Sequence, residues 1–232
     1  MNYCILTAMF PLSAKKCASR SMRPSRVLIA SLLLAAALWG VMFSPWTAPH
    51  IHFWLTMSGS ALLLAALGLK FGGWRGQCRF SPREIALGLA SAALLWCIFY
   101  AGHYFSGLLF SFARPQVGSI YAMKGAENPW LLAGLLLFLI GPAEEIFWRG
   151  FLQRRLAACF AERGGRSETR AWLLSSLAYA LVHVWAFNFM LLAAALVCGL
   201  FWGALYRWRK NLAPVIVSHA LWDVAIFILF PV

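Results

Sequence analysis

Residues 129–150 read PWLLAGLLLFLIGPAEEIFWRG. An uncharged run from Pro129 to Ile140 leads straight into Glu144, Glu145 and Arg149. The run reads as a membrane helix. The two carboxylates and the guanidinium then stand where that helix is still in hydrocarbon. A charge at mid-bilayer costs roughly 2.5–3.5 kcal/mol on insertion scales. Groups of this kind pair inside a bundle and by default mark a functional site.

Composition extends the membrane reading to the whole chain. Over 232 residues the hydrophobic share is 62%, the charged share 12% and the mean hydropathy +0.74. A soluble domain of this length has too little interior for so much apolar surface. The expected fold is all-α, a polytopic bundle of about seven transmembrane helices. They fall near 27–44, 51–69, 85–110, 129–148, 171–188, 189–206 and 212–230. The third is expected to tilt or break near Gly102. No internal repeat, low-complexity segment or soluble domain is visible. Three regions follow: a basic lead-in at 1–26, accessory transmembrane helices at 27–128, and a core at 129–232 that carries the motifs.

The net charge of +13 does not point to nucleic acid. The charges stand in short blocks between apolar runs, as topology signals do. Seventeen of the twenty basic residues fall before the first span, between the second and third, after the fourth and after the sixth. Arg114 and Lys124 fall on the other side, and Arg149 lies within a span. By the positive-inside rule the N-terminus is cytoplasmic and the C-terminus outside. The first residues run apolar and then basic, the reverse of a signal peptide, and Met22 is an alternative start. Cys4, Cys17, Cys78, Cys97, Cys159 and Cys198 form no CxxC pair, so neither a disulfide frame nor a zinc site is expected from them. Trp46, Trp74, Trp130, Trp172 and Trp208 fall near span ends, as interfacial anchors do. Glycines and alanines within the spans allow close helix packing.

Of seven acids, Glu84, Glu127, Glu162 and Glu168 sit in loops or at span edges. Glu144, Glu145 and Asp223 lie in apolar surroundings, as do His183 and His219. His50, His52 and His103 show no partner pattern, and Tyr100, Tyr104 and Tyr179 read as ordinary aromatics. At 1.5 Å per residue, His183 stands about 18 Å from the cytoplasmic start of its span, His219 roughly 10 Å, Asp223 roughly 16 Å and Glu144 ~8 Å. These depths suit one chamber, opening toward the cytoplasm or the inner leaflet. Gly141-Pro142 is expected to kink or restart the fourth span, leaving Glu144 and Glu145 in a new first turn near a positive dipole end. Arg149 is placed to pair with Glu145 at i,i+4, while Glu144 points about 100° away toward the chamber. His219 and Asp223 share a helix face at the same spacing.

The set Glu144-Glu145-x-x-x-Arg149, then His183, then His219-x-x-x-Asp223 resembles the three motifs of the CPBP intramembrane proteases. That family includes the type II CAAX prenyl endopeptidases and bacterial homologues linked to bacteriocin immunity. The resemblance covers roughly residues 129–230. Two positions depart from its usual pattern: Tyr179 stands where Phe is frequent, and Asp223 where Asn is frequent. Asn donates a hydrogen bond to an oxyanion; Asp does so only when protonated, and otherwise orients His219.

The resemblance implies peptide hydrolysis by a glutamate-activated water, near the cytoplasmic face. Glu144 is then the general base, and His183 holds or polarises the water. His219 with Asp223 stabilises the oxyanion, and Glu145 and Arg149 support the site. No cofactor is implied. The close rival is a zinc site on His183, His219 and Glu144. A proton-coupled transporter and a non-catalytic immunity or scaffold protein are the other classes that buried Glu, His and Asp allow. The expected partners are a membrane-associated peptide or protein substrate and the bilayer, with no nucleic acid. Oligomeric state is not readable. The expected location is a bacterial inner membrane, multi-pass.

Overall fold

The computed structural model describes residues 24–72, 76–161 and 166–232. Most of the basic lead-in therefore lies outside the described residues, as do Trp74, Arg75, Glu162 and Arg163. Everything described is helix, turn or loop, with no strand. Helix α1 spans Pro24–Phe43, α2 Phe53–Gly72, α3 Pro82–Leu109 and α4 Ala113–Ala122. The long α5 runs Pro129–Ala161. Then come α6, Ser167–Leu181, and α7, Phe189–Arg209. Last is α8, Ala213–Leu229.

Local chemistry sets several of these boundaries. Asn128 starts α5 by accepting from the backbone N–H groups of Trp130 and Leu131, with Pro129 in the first turn, where its missing N–H does no harm. Ser81 with Pro82 starts α3 in the same way, and Asn188 starts α7. Helix α6 runs into a tight 3-10 turn, Val182–Ala186, closed by Phe187 at φ 49°. Helix α3 is continuous for 28 residues, so the break expected near Gly102 is absent.

Helix α5 departs from expectation at its middle. It does not restart at Gly141-Pro142. It runs through as two π-helical stretches, Leu136–Ile140 and Ile146–Gln153, on either side of Gly141–Glu145. The Gly141 N–H bonds the Leu136 carbonyl, five residues back. A π turn absorbs the proline without opening the ladder, and such bulges recur at functional sites. Glu144 and Glu145 therefore lie inside a continuous helix, with no free first turn or positive dipole end beside them.

Among the described residues five helices, α1, α2, α3, α5 and α7, are long and apolar enough to cross a membrane. Two expected spans fall short. Helix α6 has 15 residues and α8 has 17. At 1.5 Å per residue 15 residues give about 22 Å, against a hydrocarbon core of about 30 Å. The expected span at 171–188 joined α6 to the 3-10 turn that ends it.

The bundle has two distinct ends. The basic blocks meet at one of them, where Arg155 donates to the Phe71 carbonyl and Asn211 and Arg79 exchange two hydrogen bonds. Arg209–Glu84 and Lys210–Glu168 ion pairs lie at the same end. At the far end α4 lies across the bundle. Its Gln116 accepts from Asn188 and Met190, and Trp54 donates to the Met123 carbonyl just beyond it.

Close approach brings α8 to its neighbours. A Cβ on Gly88 of α3 would stand 2.6 Å from the Val217 side chain. A Cβ on Gly141 of α5 would stand 3.0 Å from the Ala220 backbone. The glycine at 141 thus lets α8 lie against α5 at the level of the acids, as small residues do in membrane bundles.

Candidate active site

Glu145 is fully buried and tied on one oxygen. Its Oε1 accepts from Arg149 Nη1 at 2.7 Å, the expected i,i+4 pair. It also pairs with His219 Nδ1 at 2.6 Å, which links α5 to α8 and which the sequence does not reveal. Arg149 also donates to the carbonyls of Cys198 and Gly199 on α7 and lies over the rings of Tyr179 and Trp202. A buried guanidinium therefore ties α5, α6, α7 and α8 together through one carboxylate.

His219 is fixed on all sides. Its ring stacks on Trp202 at 3.8 Å between centroids, and the Trp202 indole donates to Ser218. Its Nε2 faces Asp223 Oδ2 at 3.4 Å, one helical turn on. Two acceptors facing each other at that distance repel, so a proton belongs on one of the two.

Glu144 differs from its neighbour. It is 5% exposed, and its Oε2, like that of Glu145, has no hydrogen-bond partner among the described residues; what sets it apart is the side it faces. It lines a cavity of about 410 Å³, shared with Tyr179, His183, His219 and Asp223. The rest of the wall is mostly apolar, from Leu136 and Ile140 on α5 to Trp222, Ile226 and Phe227 on α8. Glu144, His183, His219 and Asp223 are thus brought to one chamber, while Glu145 and Arg149 are not among its lining residues. The different directions of the two glutamates follow from the roughly 100° step between successive helix residues.

His183 lies on the 3-10 turn after α6, and the backbone there aims it. Its Nδ1 stands 2.8 Å from the Tyr179 carbonyl, and its Nε2 accepts from the Trp39 indole at 3.1 Å. A carbonyl only accepts and an indole N–H only donates, so the ring carries its proton on Nδ1. Both nitrogens are engaged. Trp39 is fully buried on α1, far from the motifs in sequence, and no local pattern marks it. Tyr179, expected to be an ordinary aromatic, lines the chamber and holds His183 through its backbone.

The zinc set His183, His219 and Glu144 does not fit this arrangement. Among the described residues no group of three or more His, Cys, Asp and Glu side chains is placed to hold a metal ion. His183 has no nitrogen lone pair to offer. His219 is turned to Glu145 on one side and Asp223 on the other.

The floor of the chamber, at Glu144 and His219, lies within the bundle. From there the cavity does not open toward the basic end, as the sequence depths suggest. Its lining continues to Phe43, Phe53, Tyr121, Met123 and Val232, all at the far end. The basic side of the floor is filled by Phe147, Phe151 and Leu152, each at 1% exposure or less. Counting depth from one end of each span locates the floor and says nothing of the direction in which the cavity extends.

Fold and site together define a multi-pass helical membrane protein with acids and histidines gathered inside the bundle. Residues 126–225 match the model of the family described as Type II CAAX prenyl endopeptidase Rce1-like. Over that stretch the chain is similar to the CAAX-type protease family that its motifs resemble, and that family is one of peptidases. Comparison with curated proteins and with solved structures gives no match.

Proposed function

We propose that the chain is an intramembrane endopeptidase in which Glu144 activates a water. The observation that carries this reading is the contrast between the two adjacent glutamates. Glu145 is bound to Arg149 and His219. Glu144 turns into the chamber, and one of its oxygens has no partner there. Glu144 takes a proton from the water, whose oxygen then adds to the scissile carbonyl carbon. The oxyanion accepts a hydrogen bond from the proton held between His219 and Asp223. Glu144 then passes its proton to the leaving amine as the carbon–nitrogen bond breaks.

Glu145 and Arg149 are the support of this site. Glu145, itself held by Arg149, engages His219 at Nδ1 and so aims its other nitrogen at the chamber. His183 acts as a positioned wall group beside Glu144; its engaged nitrogens do not suit it to hold the water. A metal-free mechanism is favoured because the candidate ligands are committed elsewhere. The substrate is a membrane-associated peptide or protein, and the location is a bacterial inner membrane. A proton-coupled transporter is disfavoured because the sequence carries no internal repeat of the kind such carriers are built from, and a scaffold would not need Glu144 turned inward.

Membrane proteomics of wild type against Glu144→Ala tests the reading. A terminus present with wild type and lost in the variant supports it; identical termini overturn it. Metal analysis of purified active protein tests the metal-free form. Stoichiometric zinc that leaves together with activity on chelation overturns that form.

A further inference from the structure

The chamber has one closed side and one reaching side. Toward the basic end, the layer of Phe147, Phe151 and Leu152 is packed without exposure, and Arg149 crosses it to the α7 carbonyls. Toward the far end, the lining runs out to Phe53, Ile120 and Met123. Among the described residues, eleven Lys and Arg stand in the segments at the basic end, and only Arg114 and Lys124 stand toward the far end. Basic loops stay cytoplasmic, and the bias here is far from balanced.

We infer that the chamber receives its peptide from the non-cytoplasmic side of the membrane, through the mouth between the α1–α2 junction and α4. This rests on the protease reading and adds to it the side and the class of substrate: a peptide on the exported side with apolar residues flanking the cut. The apolar walls set that preference, because a charged side chain lying against them would be desolvated without a partner. Helix α4 forms the rim. Its Gln116 pins it to α7, and Tyr121 accepts from the Val232 N–H. The catalytic water has the same route as the peptide, so the opening faces bulk solvent and not the packed floor.

Thiol labelling with a membrane-impermeant maleimide tests the side, whether or not the protein cleaves anything. Spheroplasts would carry chains whose other cysteines are replaced by alanine. One keeps Cys78, an exposed free thiol at the basic end. One carries Gly118→Cys, on the exposed face of α4, where an added Cβ meets nothing within 4 Å. One carries Ile120→Cys, on the chamber wall. The expected result is labelling of the 118 and 120 variants in intact spheroplasts and of Cys78 only after permeabilisation. The reverse pattern overturns the inference. So does an Ile120→Cys thiol that stays unlabelled until the protein is denatured, while the Gly118→Cys variant reports that the chain is folded and inserted. A failed protease assay would leave these outcomes unchanged, so the two readings fail separately.

Discussion

At the basic end of the bundle, polar groups meet polar groups. Asn211 and Arg79 exchange two hydrogen bonds, Leu212 N–H donates to the Gln77 carbonyl, and charged pairs join α3, α6 and α7. At the far end, rings meet rings around a cavity: Phe43 on Phe53, Trp54 on Phe227, Trp46 on Phe187. The first end is stitched by bonds with fixed geometry, and the second is shaped by apolar surfaces that leave space. The Glu145–Arg149–His219 network lies between them and belongs to both. It closes the stitched end and forms the back of the chamber. Rigidity on one side of the acids is what allows an open volume on the other.

The comparison breaks most severely if the chamber acid is dispensable. Glu144→Gln keeps the size of the side chain and removes the base. Cleavage is expected to fall by about 10²–10⁴-fold, with no loss of thermal stability in detergent. A variant that cleaves at the wild-type rate would remove the chemistry from the far side.

The boundary network comes next. Arg149→Ala leaves Glu145 buried without its cation, which should destabilise the fold by about 3–5 kcal/mol. Thermal or denaturant unfolding reads this directly. A loss below about 1 kcal/mol, the range of an exposed pair, would mean that the network does not hold the helices together.

A matched pair of variants sharpens the contrast. Trp39→Phe removes the donor to His183 Nε2, and Asn211→Ala removes the clasp to Arg79. Each should destabilise by about 1–3 kcal/mol through groups left unpaired. Only Trp39→Phe should also lower the cleavage rate of the folded fraction, by up to about a hundredfold, because a small misplacement at a site is costly. Equal activity losses in the two variants would show that the ends are not functionally distinct.

The smallest effect is expected at Lys210→Ala. It breaks an exposed ion pair with Glu168, and stability should move by less than about 1 kcal/mol with cleavage unchanged. A larger change would show that the basic end depends on its surface pairs and not on its buried clasps.

Much of this was legible from residue type and spacing. Apolar runs announced a helical membrane bundle, because only internally bonded helices suit hydrocarbon in a chain of this pattern. The i,i+4 spacings of Glu145–Arg149 and His219–Asp223 predicted pairs that the structure forms. The rarity of acids made Glu144 conspicuous. Other features depend on distance in space. Trp39 meets His183 across 144 positions of sequence, and Glu145 meets His219 across 74. Neither distance leaves a periodic trace. Helix lengths misled where an apolar stretch continued past a helix end, as at His183, since composition does not distinguish a helix from the tight turn that stops it.

The sequence by itself determined a helical membrane protein, the identity of its unusual polar residues and the protease family they resemble, because composition and local spacing act within a few turns of helix. Tertiary structure decided which glutamate faces the chamber, what holds each histidine, and toward which end the cavity reaches. Those outcomes turn on how α8 packs against α5 at Gly141 and how α1 reaches His183, and packing between distant helices is not a property of any one segment.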